Sequence, residues 1–509
     1  MLLLAASRRL RLSAIASAVF VALLLLLLYG HAQQRGHGLR GPRRPPNSSP
    51  PPHQPPDQQQ QQQQQPALPP EYAVPSTESA WCQDRFDTRY LFNARNSSAS
   101  YCSPDSASRL TCFWSATAKG RQDAMCFAQR ARFHAASHSF RLACRLRPLT
   151  ADETAAGLPS VPDRLPRYWY ETGPAVVMDQ AVVLGDDDSD SNNNDNSNNN
   201  NDMAAVEQAA PTTTTTTKTT TILVKREGNA NLWHSLMEIM SLSWSLDLLH
   251  IALDPDSGQP FLTPRAGHRA QVVLLDEHDD GNYIALWQLF ARMPVRRLRD
   301  LDASEPPSDL VVPLAGGSNP LWQGDWDDLL CRDSALVKTF VSRALAHYRV
   351  TDVDADDADV VVTYISRAHT RRLVDEAEHM DALRRAIPHM QLNVVDFAAL
   401  PFVDQLRLVR RTDLLVGVHG AGLTHLMFLR PGSTVLEILP DGFQHKGFRN
   451  LAQMLGLGFL RTHAKMRPDE SGARDWQVNP VEMDRQRLID VVAVAVKSLY
   501  NAGLRSHDV

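Results

Sequence analysis

Residues 417–440, GVHGAGLTHLMFLRPGSTVLEILP, concentrate residue types that can hold an anion. Val418 ends an apolar stretch that reads as a strand, and His419, Gly420, Ala421 and Gly422 lead into a helical pattern over 422–428. Two glycines and an alanine let a ligand approach the main chain. A helix start offers N–H groups without intrahelical partners, which suits a phosphate. Upstream, Ser366 and Arg367 follow another strand pattern, and Arg371 and Arg372 open an expected helix over 371–386. Guanidinium groups there would neutralise a diphosphate through paired hydrogen bonds. Glu437 lies inside the apolar VLEILP, where a buried carboxylate either accepts hydrogen bonds, as from ribose hydroxyls, or pairs with an arginine.

A second polar group stands earlier in the chain. Asn231 and His234 open a helical stretch over 232–250, and Asp276, Glu277 and His278 close a short strand. Transfer to a hydroxyl requires a general base, a role open to Asp276, Glu277, His278 or His234. The acidic cluster has no defined metal-ligand spacing. GxSxG, HExxH and P-loop patterns are absent.

The elements that must position these residues are legible in the C-terminal part. Strand patterns at 360–365, 391–395, 413–418 and 435–439 alternate with helical ones at 371–386, 402–410, 422–428 and 447–455. Continuous β-branched and leucine runs between helices predict a parallel sheet covered on both faces, with ligands at the strands' carboxyl ends. The earlier part reads as a strand at 222–224, the helix over 232–250 and a strand ending at Leu275. A helix follows from about Leu330.

The chain has 509 residues, enough for a large core, and a net charge of −5, which gives no support for a nucleic-acid partner. Arg8, Arg9 and Arg11 precede an uncharged stretch over 12–29. At about 1.5 Å per residue it would reach across a thin membrane with the N-terminus cytoplasmic. The competing reading is a signal peptide cleaved near Ala32. The expected order is a cytosolic tail (1–11), a signal anchor (12–30) and a Pro/Gln-rich stalk (31–80). An N-terminal lobe (81–330) would carry a low-complexity insert (185–221), and a C-terminal lobe (331–509) would complete the chain. Cys82, Cys102, Cys112, Cys126 and Cys144 crowd one segment and Cys331 stands apart. In an oxidising lumen this means two or more disulfides, with the odd member bonded to Cys331 or free. No zinc-ligand spacing accompanies them. Sequons at Asn47 and Asn96 fit the same compartment.

The 417–440 run resembles the signature of glycosyltransferase family 61, which includes EGF-domain-specific O-linked GlcNAc transferases, protein O-mannose GlcNAc transferases and plant xylosyltransferases. SRAHTRRLVDEAE (366–378) is similar to the family's arginine block, with Arg367, Arg371 and Glu376 at matching positions and Asp375 in place of the usual asparagine. GNANLWHSLMEIM matches an Asn-x-x-His helix start at Asn231 and His234, and WCQDRF (81–86) is similar to the EGF-domain-specific members. The resemblance implies an α/β, two-lobed GT-B-like fold with a Rossmann-like C-terminal lobe, and inversion at the anomeric carbon. It implies a UDP-sugar donor, UDP-GlcNAc or UDP-xylose, held by Arg367, Arg371, His419, Gly420 and the turn, and a glycoprotein or glycan acceptor. It implies no strict metal requirement, with Mn²⁺ stimulation compatible. An inactive sugar-nucleotide-binding relative is the alternative from another class. The EGF-specific members end in a retention tetrapeptide, whereas this chain ends Ser-His-Asp-Val, so a Golgi membrane is expected ahead of the endoplasmic reticulum.

Overall fold

The computed structural model describes residues 67–72, 77–116, 121–185, 219–263, 267, 269–351 and 359–501. The expected tail, membrane span, Asn47 sequon and most of the stalk lie outside the described residues. So do most of the insert and the last four residues. Among the described residues no helix is long and apolar enough to cross a membrane.

The protein is mixed α/β, built on two sheets. The first comprises β1 (Ser98–Ser100), β2 (Arg109–Ala116), β3 (Gln122–His134), β4 (Ser139–Ala143), β5 (Val182–Gly185), β6 (Thr219–Val224), β7 (Ala270–Leu274), β8 (Arg296–Arg297) and β9 (Ser308–Val312). Its main path runs β1-β2-β3-β9-β6-β7-β8. β2 and β3 form an antiparallel hairpin, whereas β9, β6, β7 and β8 run parallel. β6 takes in Thr219, Thr220 and Thr221, and β5 ends on Gly185, so both edges of the expected insert belong to strands.

The second sheet is the one the C-terminal pattern predicts. It comprises β10 (Val360–Ile365), β11 (Met390–Val395), β12 (Leu414–Val418), β13 (Thr434–Pro440), β14 (Gly458–Met466) and β15 (Val481–Glu482), in the order β11-β10-β12-β13-β14-β15. The first five are parallel, and β15 is antiparallel to β14. Leu415 and Val435 pack into one core cluster and Leu414, Val416 and Leu436 into another, so both faces are covered. The strand order reverses between β10 and β12, and crevices at such reversals are where open α/β sheets bind ligands.

The helix Leu232–Ile251 ties the two sheets together. It is apolar nearly all round and almost wholly buried, in a cluster that also holds Ile222 and Val272 of the first sheet and Leu415 and Val435 of the second. Truncating one such side chain, as in Leu236→Ala, costs about 2–5 kcal/mol. Three disulfides complete the frame: Cys102–Cys144, Cys112–Cys126 and Cys82–Cys331, the last making Cys82 the partner of the outlying cysteine.

Two helix starts differ from expectation. The helix expected from Leu330 begins at Ala335, where the Ser334 hydroxyl accepts from the Val337 N–H and donates to the Phe86 carbonyl. The helix expected from Arg371 begins at Glu376. Ahead of it, Arg371 and Val374 donate their N–H groups to Val478 and Val481, and Arg371 adopts φ 51°. The C-terminal segment thus satisfies donors that a helix would have used, and Arg371 stands on a loop.

Candidate functional site

The carboxyl end of β12 and Arg371, on the loop after β10, open onto a cavity of about 1110 Å³ that the start of the helix Leu232–Ile251 also lines. On the sheet side His419 follows β12 directly. Its Nδ1 lies 2.6 Å from Glu437 Oε1 of neighbouring β13, and both side chains are buried. Burial pushes the Glu437 carboxyl up to about 8, against the pull of Arg461. Burial, then His445, Arg371 and Arg367, hold His419 well below the usual imidazole range. A neutral glutamic acid donating to Nδ1 sets the tautomer that carries its proton on Nε2, so His419 offers the cavity an N–H donor. Glu437 does not line the cavity, and no arginine lies within ion-pair distance of it among the described residues: its carboxyl meets His419.

Arg371 lines the cavity beside His419, its guanidinium 5.6 Å from the Trp476 ring centroid. Its Nε is buried without a hydrogen-bond partner among the described residues. Burial, then Arg367, lower its pKa to about 10. Arg367 donates to the Thr370 carbonyl and hydroxyl, and burial lowers its pKa also. A Cβ on Gly420 would collide with the Arg367 guanidinium and come within 3.2 Å of Arg371, so a larger residue there would push the two cations aside. Gly422, under Ile365, borders a side cavity of about 370 Å³ shared with Arg367. The turn continues as a 3-10 helix, Ala421–Phe428, whose first N–H groups lack intrahelical partners. Two half-desolvated cations and a helix start without a counter-ion make a site for a polyanion.

The facing wall is built by Asn231, whose side chain caps the helix by accepting from Trp233 and His234 N–H groups. The cap places His234 on the first turn, at the cavity. Its Nδ1 lies 3.0 Å from Glu227 Oε2, leaving Nε2 for the cavity. Burial raises the Glu227 carboxyl and His234 draws it back down. Fully buried Glu238 accepts from the Glu227 N–H and is held well above the usual carboxylate range by burial and by Glu227 beside it. A histidine backed by a buried carboxylate is the arrangement of a general base. His445 also lines the cavity, but both its nitrogens are engaged, by Asp325 and by the Gly447 N–H.

The other sequence candidates fall elsewhere. Asp276 is a buried partner of Arg226, receiving its main-chain N–H, Nε and Nη2. Burial alone would raise its carboxyl, and those bonds outweigh it, holding the group below the usual range. Glu277 is 72% exposed and pairs with Arg299, and His278 gives its main-chain N–H to Asp276. None of the three lines the cavity. Glu376 accepts from the Ser366 hydroxyl at 2.6 Å, one residue from Arg367, and so braces the loop rather than facing the ligand space. Sequence reasoning missed Glu227, Asp325, His445, Trp322 and Trp476. Glu227, four residues ahead of the Asn231 cap, had the clearest signal, as an acid within reach of the first turn. Among the described residues the one potential metal-ligating trio is Glu78 with Cys82 and Cys331, whose sulfurs are spent in a disulfide.

A mainly parallel α/β sheet with two arginines and a glycine turn near its strand reversal has the form in which open α/β sheets bind ligands. Residues 232–436 match the family described as Glycosyltransferase 61. The chain is similar to curated proteins named EGF domain-specific O-linked N-acetylglucosamine transferase. Identity is 31% over 147 residues with the Mus musculus protein (28% of each chain) and 29% over 199 residues with the Bos taurus protein (36% of each). With the Drosophila melanogaster protein it is 27% over 188 residues (35% of each). The chain thus matches about a third of the length of these relatives. Among solved structures, a flavo di-iron protein from Thermotoga maritima overlays 54% of this chain and 87% of its own at 9% identity. Its TM-score of 0.20 carries no argument.

Proposed function

We propose that the protein is an inverting glycosyltransferase that moves N-acetylglucosamine from UDP-GlcNAc to a hydroxyl of a glycoprotein or glycan. The observation that carries this reading is the pairing of unlike walls across one cavity. Arg371, without a carboxylate partner within ion-pair distance among the described residues, shares the cavity with His234, which Glu227 backs, while Arg367 packs against Gly420 beside it. The acceptor hydroxyl attacks the anomeric carbon, forming the new C–O bond as the bond to the β-phosphate oxygen breaks, and UDP leaves with the electron pair. The acceptor proton passes to His234 Nε2. Negative charge gathering on the diphosphate is met by Arg371, Arg367, His419 Nε2–H and the N–H groups after Gly420. The chemistry assigned to a metal in other transferases falls here to the arginines, so no metal is strictly required and Mn²⁺ stimulation is compatible.

The proposal includes a two-lobed GT-B-like arrangement, the second sheet carrying the donor, and a type II anchor over 12–30 that holds the catalytic part in the lumen of the Golgi. Three disulfides favour an oxidising compartment. The test is UDP release and sugar transfer by the purified full chain with UDP-GlcNAc, UDP-xylose and other UDP-sugars, with and without EDTA. Turnover that favours UDP-GlcNAc and survives EDTA supports the proposal. Preference for UDP-xylose corrects the donor, and saturable UDP binding without turnover on any acceptor sinks the enzyme reading.

A further inference from the structure

The cavity's mouth beside His234 carries a feature that donor binding does not use. Residues 168–172 form a tight hairpin: the Tyr168 N–H donates to the Thr172 carbonyl at 2.9 Å, and the Thr172 hydroxyl to the Trp169 carbonyl at 2.9 Å. Its base is locked. The buried Tyr168 hydroxyl donates to Asp123, which also holds Arg121 and Gln323. A Cβ on Gly317 would strike the Tyr168 ring. Its tip is exposed and strained, with Tyr170 at φ 59° and Glu171 at φ 51°, both in the left-handed region. Trp169 and Tyr170 are 56% and 61% exposed, an unusual cost for two large rings on a rigid support. Trp169 stacks near Trp322 (centroids 6.3 Å, 26°), and Tyr170 meets the His234 ring edge-on at 5.4 Å.

We infer that this hairpin and Trp322 form an acceptor subsite for a pyranose ring, so that the acceptor is a sugar hydroxyl rather than a bare serine or threonine. The inference rests on the proposed glycosyl transfer at this site. A ring face attracts the slightly positive C–H groups of a pyranose, as it does the edge of another ring. Gln323, Asp325 and Gln477 line the same cavity and add amide and carboxylate groups, the mixture that hydroxyls need. No residue lining the cavity belongs to a strand, so an extended peptide finds no edge to pair with. At about 1110 Å³ the space exceeds what one drug-sized ligand fills, leaving room for a second ring beside the donor. Tyr170 against His234 brings such a ring to the base.

Two readouts on the purified full chain test this. With UDP-GlcNAc as donor, methyl pyranosides and glycosylated peptides are compared with the same peptides unglycosylated. Separately, intrinsic tryptophan fluorescence is titrated with methyl pyranosides, which needs no turnover. Transfer to sugar-bearing acceptors is expected, with acceptor KM raised about tenfold in Trp169→Ala and Tyr170→Ala while donor KM holds. Trp81→Ala, at an exposed tryptophan outside the cavity, serves as the unchanged control. A saturable fluorescence change abolished by Trp169→Ala supports the subsite even if no UDP-sugar turns over, a result that would sink only the transferase reading. Transfer to unglycosylated peptide with unaltered KM in both variants, or no saturable change with any pyranoside up to its solubility, overturns the subsite and leaves donor chemistry standing.

Discussion

The two walls of the cavity hold histidine–glutamate pairs of opposite character. On the sheet wall, His419 at the end of β12 and Glu437 of β13 are both buried, and burial, with His445, Arg371 and Arg367 nearby, keeps the imidazole neutral. On the helix wall, Glu227 is buried but His234 keeps partial access to solvent, with aromatic rings rather than charges around it. The same two residue types serve different ends because their surroundings differ. Beside arginines a neutral N–H is a donor to an anion, whereas beside rings and a carboxylate an imidazole can accept a proton.

The largest effect that would break this contrast is expected at His234. His234→Ala should lower kcat by about 10²–10⁴, with donor KM little changed, and Glu227→Gln should lower it less. Equal losses from His234→Ala and His419→Ala in kcat and donor KM alike would erase the distinction between the walls. Asp276→Ala should leave Arg226 buried without its partner and cost about 3–5 kcal/mol in denaturant unfolding, a loss of stability and not of chemistry.

Glu437 sharpens the comparison through pH. Its folded pKa, about 8, lies above its unfolded value, so the stability it lends is full below about pH 4.5 and is lost as pH rises through 8. His419, shifted downward, acts oppositely below its unfolded value of 6.5, which leaves pH 6.5–8 as the clean window. There the wild type should lose up to about 2 kcal/mol relative to Glu437→Gln. Activity should follow. Ionised Glu437 accepts the Nδ1 proton and turns His419 Nε2 into an acceptor facing phosphate, so the rate should fall above about pH 8. Glutamine still donates to Nδ1, and its variant should keep its rate to higher pH. The smallest effect is expected at Glu277, where Glu277→Ala should change stability by no more than about 0.5 kcal/mol and leave the kinetics alone.

The walls also differed in how far their sequence could be read. On the sheet wall, β12, its glycine turn and β13 are consecutive, and a parallel strand-turn-helix unit announces itself by local pattern. His419, Gly420 and Arg367 therefore stand at the strand ends where the pattern puts them, whereas Arg371, expected to open a helix, sits on a loop fixed by Val478 and Val481, more than a hundred residues later. The helix wall gathers Arg121, Trp169, Asn231 and Trp322 from four separate segments of the chain, and no periodicity links them. Asp276 looked catalytic because an acid at a strand end is a good prior. Its ion pair with Arg226 comes from the next strand over, and β6–β7 pairing was not visible in the sequence.

The measurement that bears most directly on the whole account is donor kinetics of Arg371→Ala with UDP-GlcNAc, set beside the wild type in the presence of EDTA. If the arginine wall carries the departing diphosphate, kcat/KM for the donor should fall about 10²–10³-fold in the variant, and chelation should leave the wild type active. Equal rates in the two proteins would contradict it.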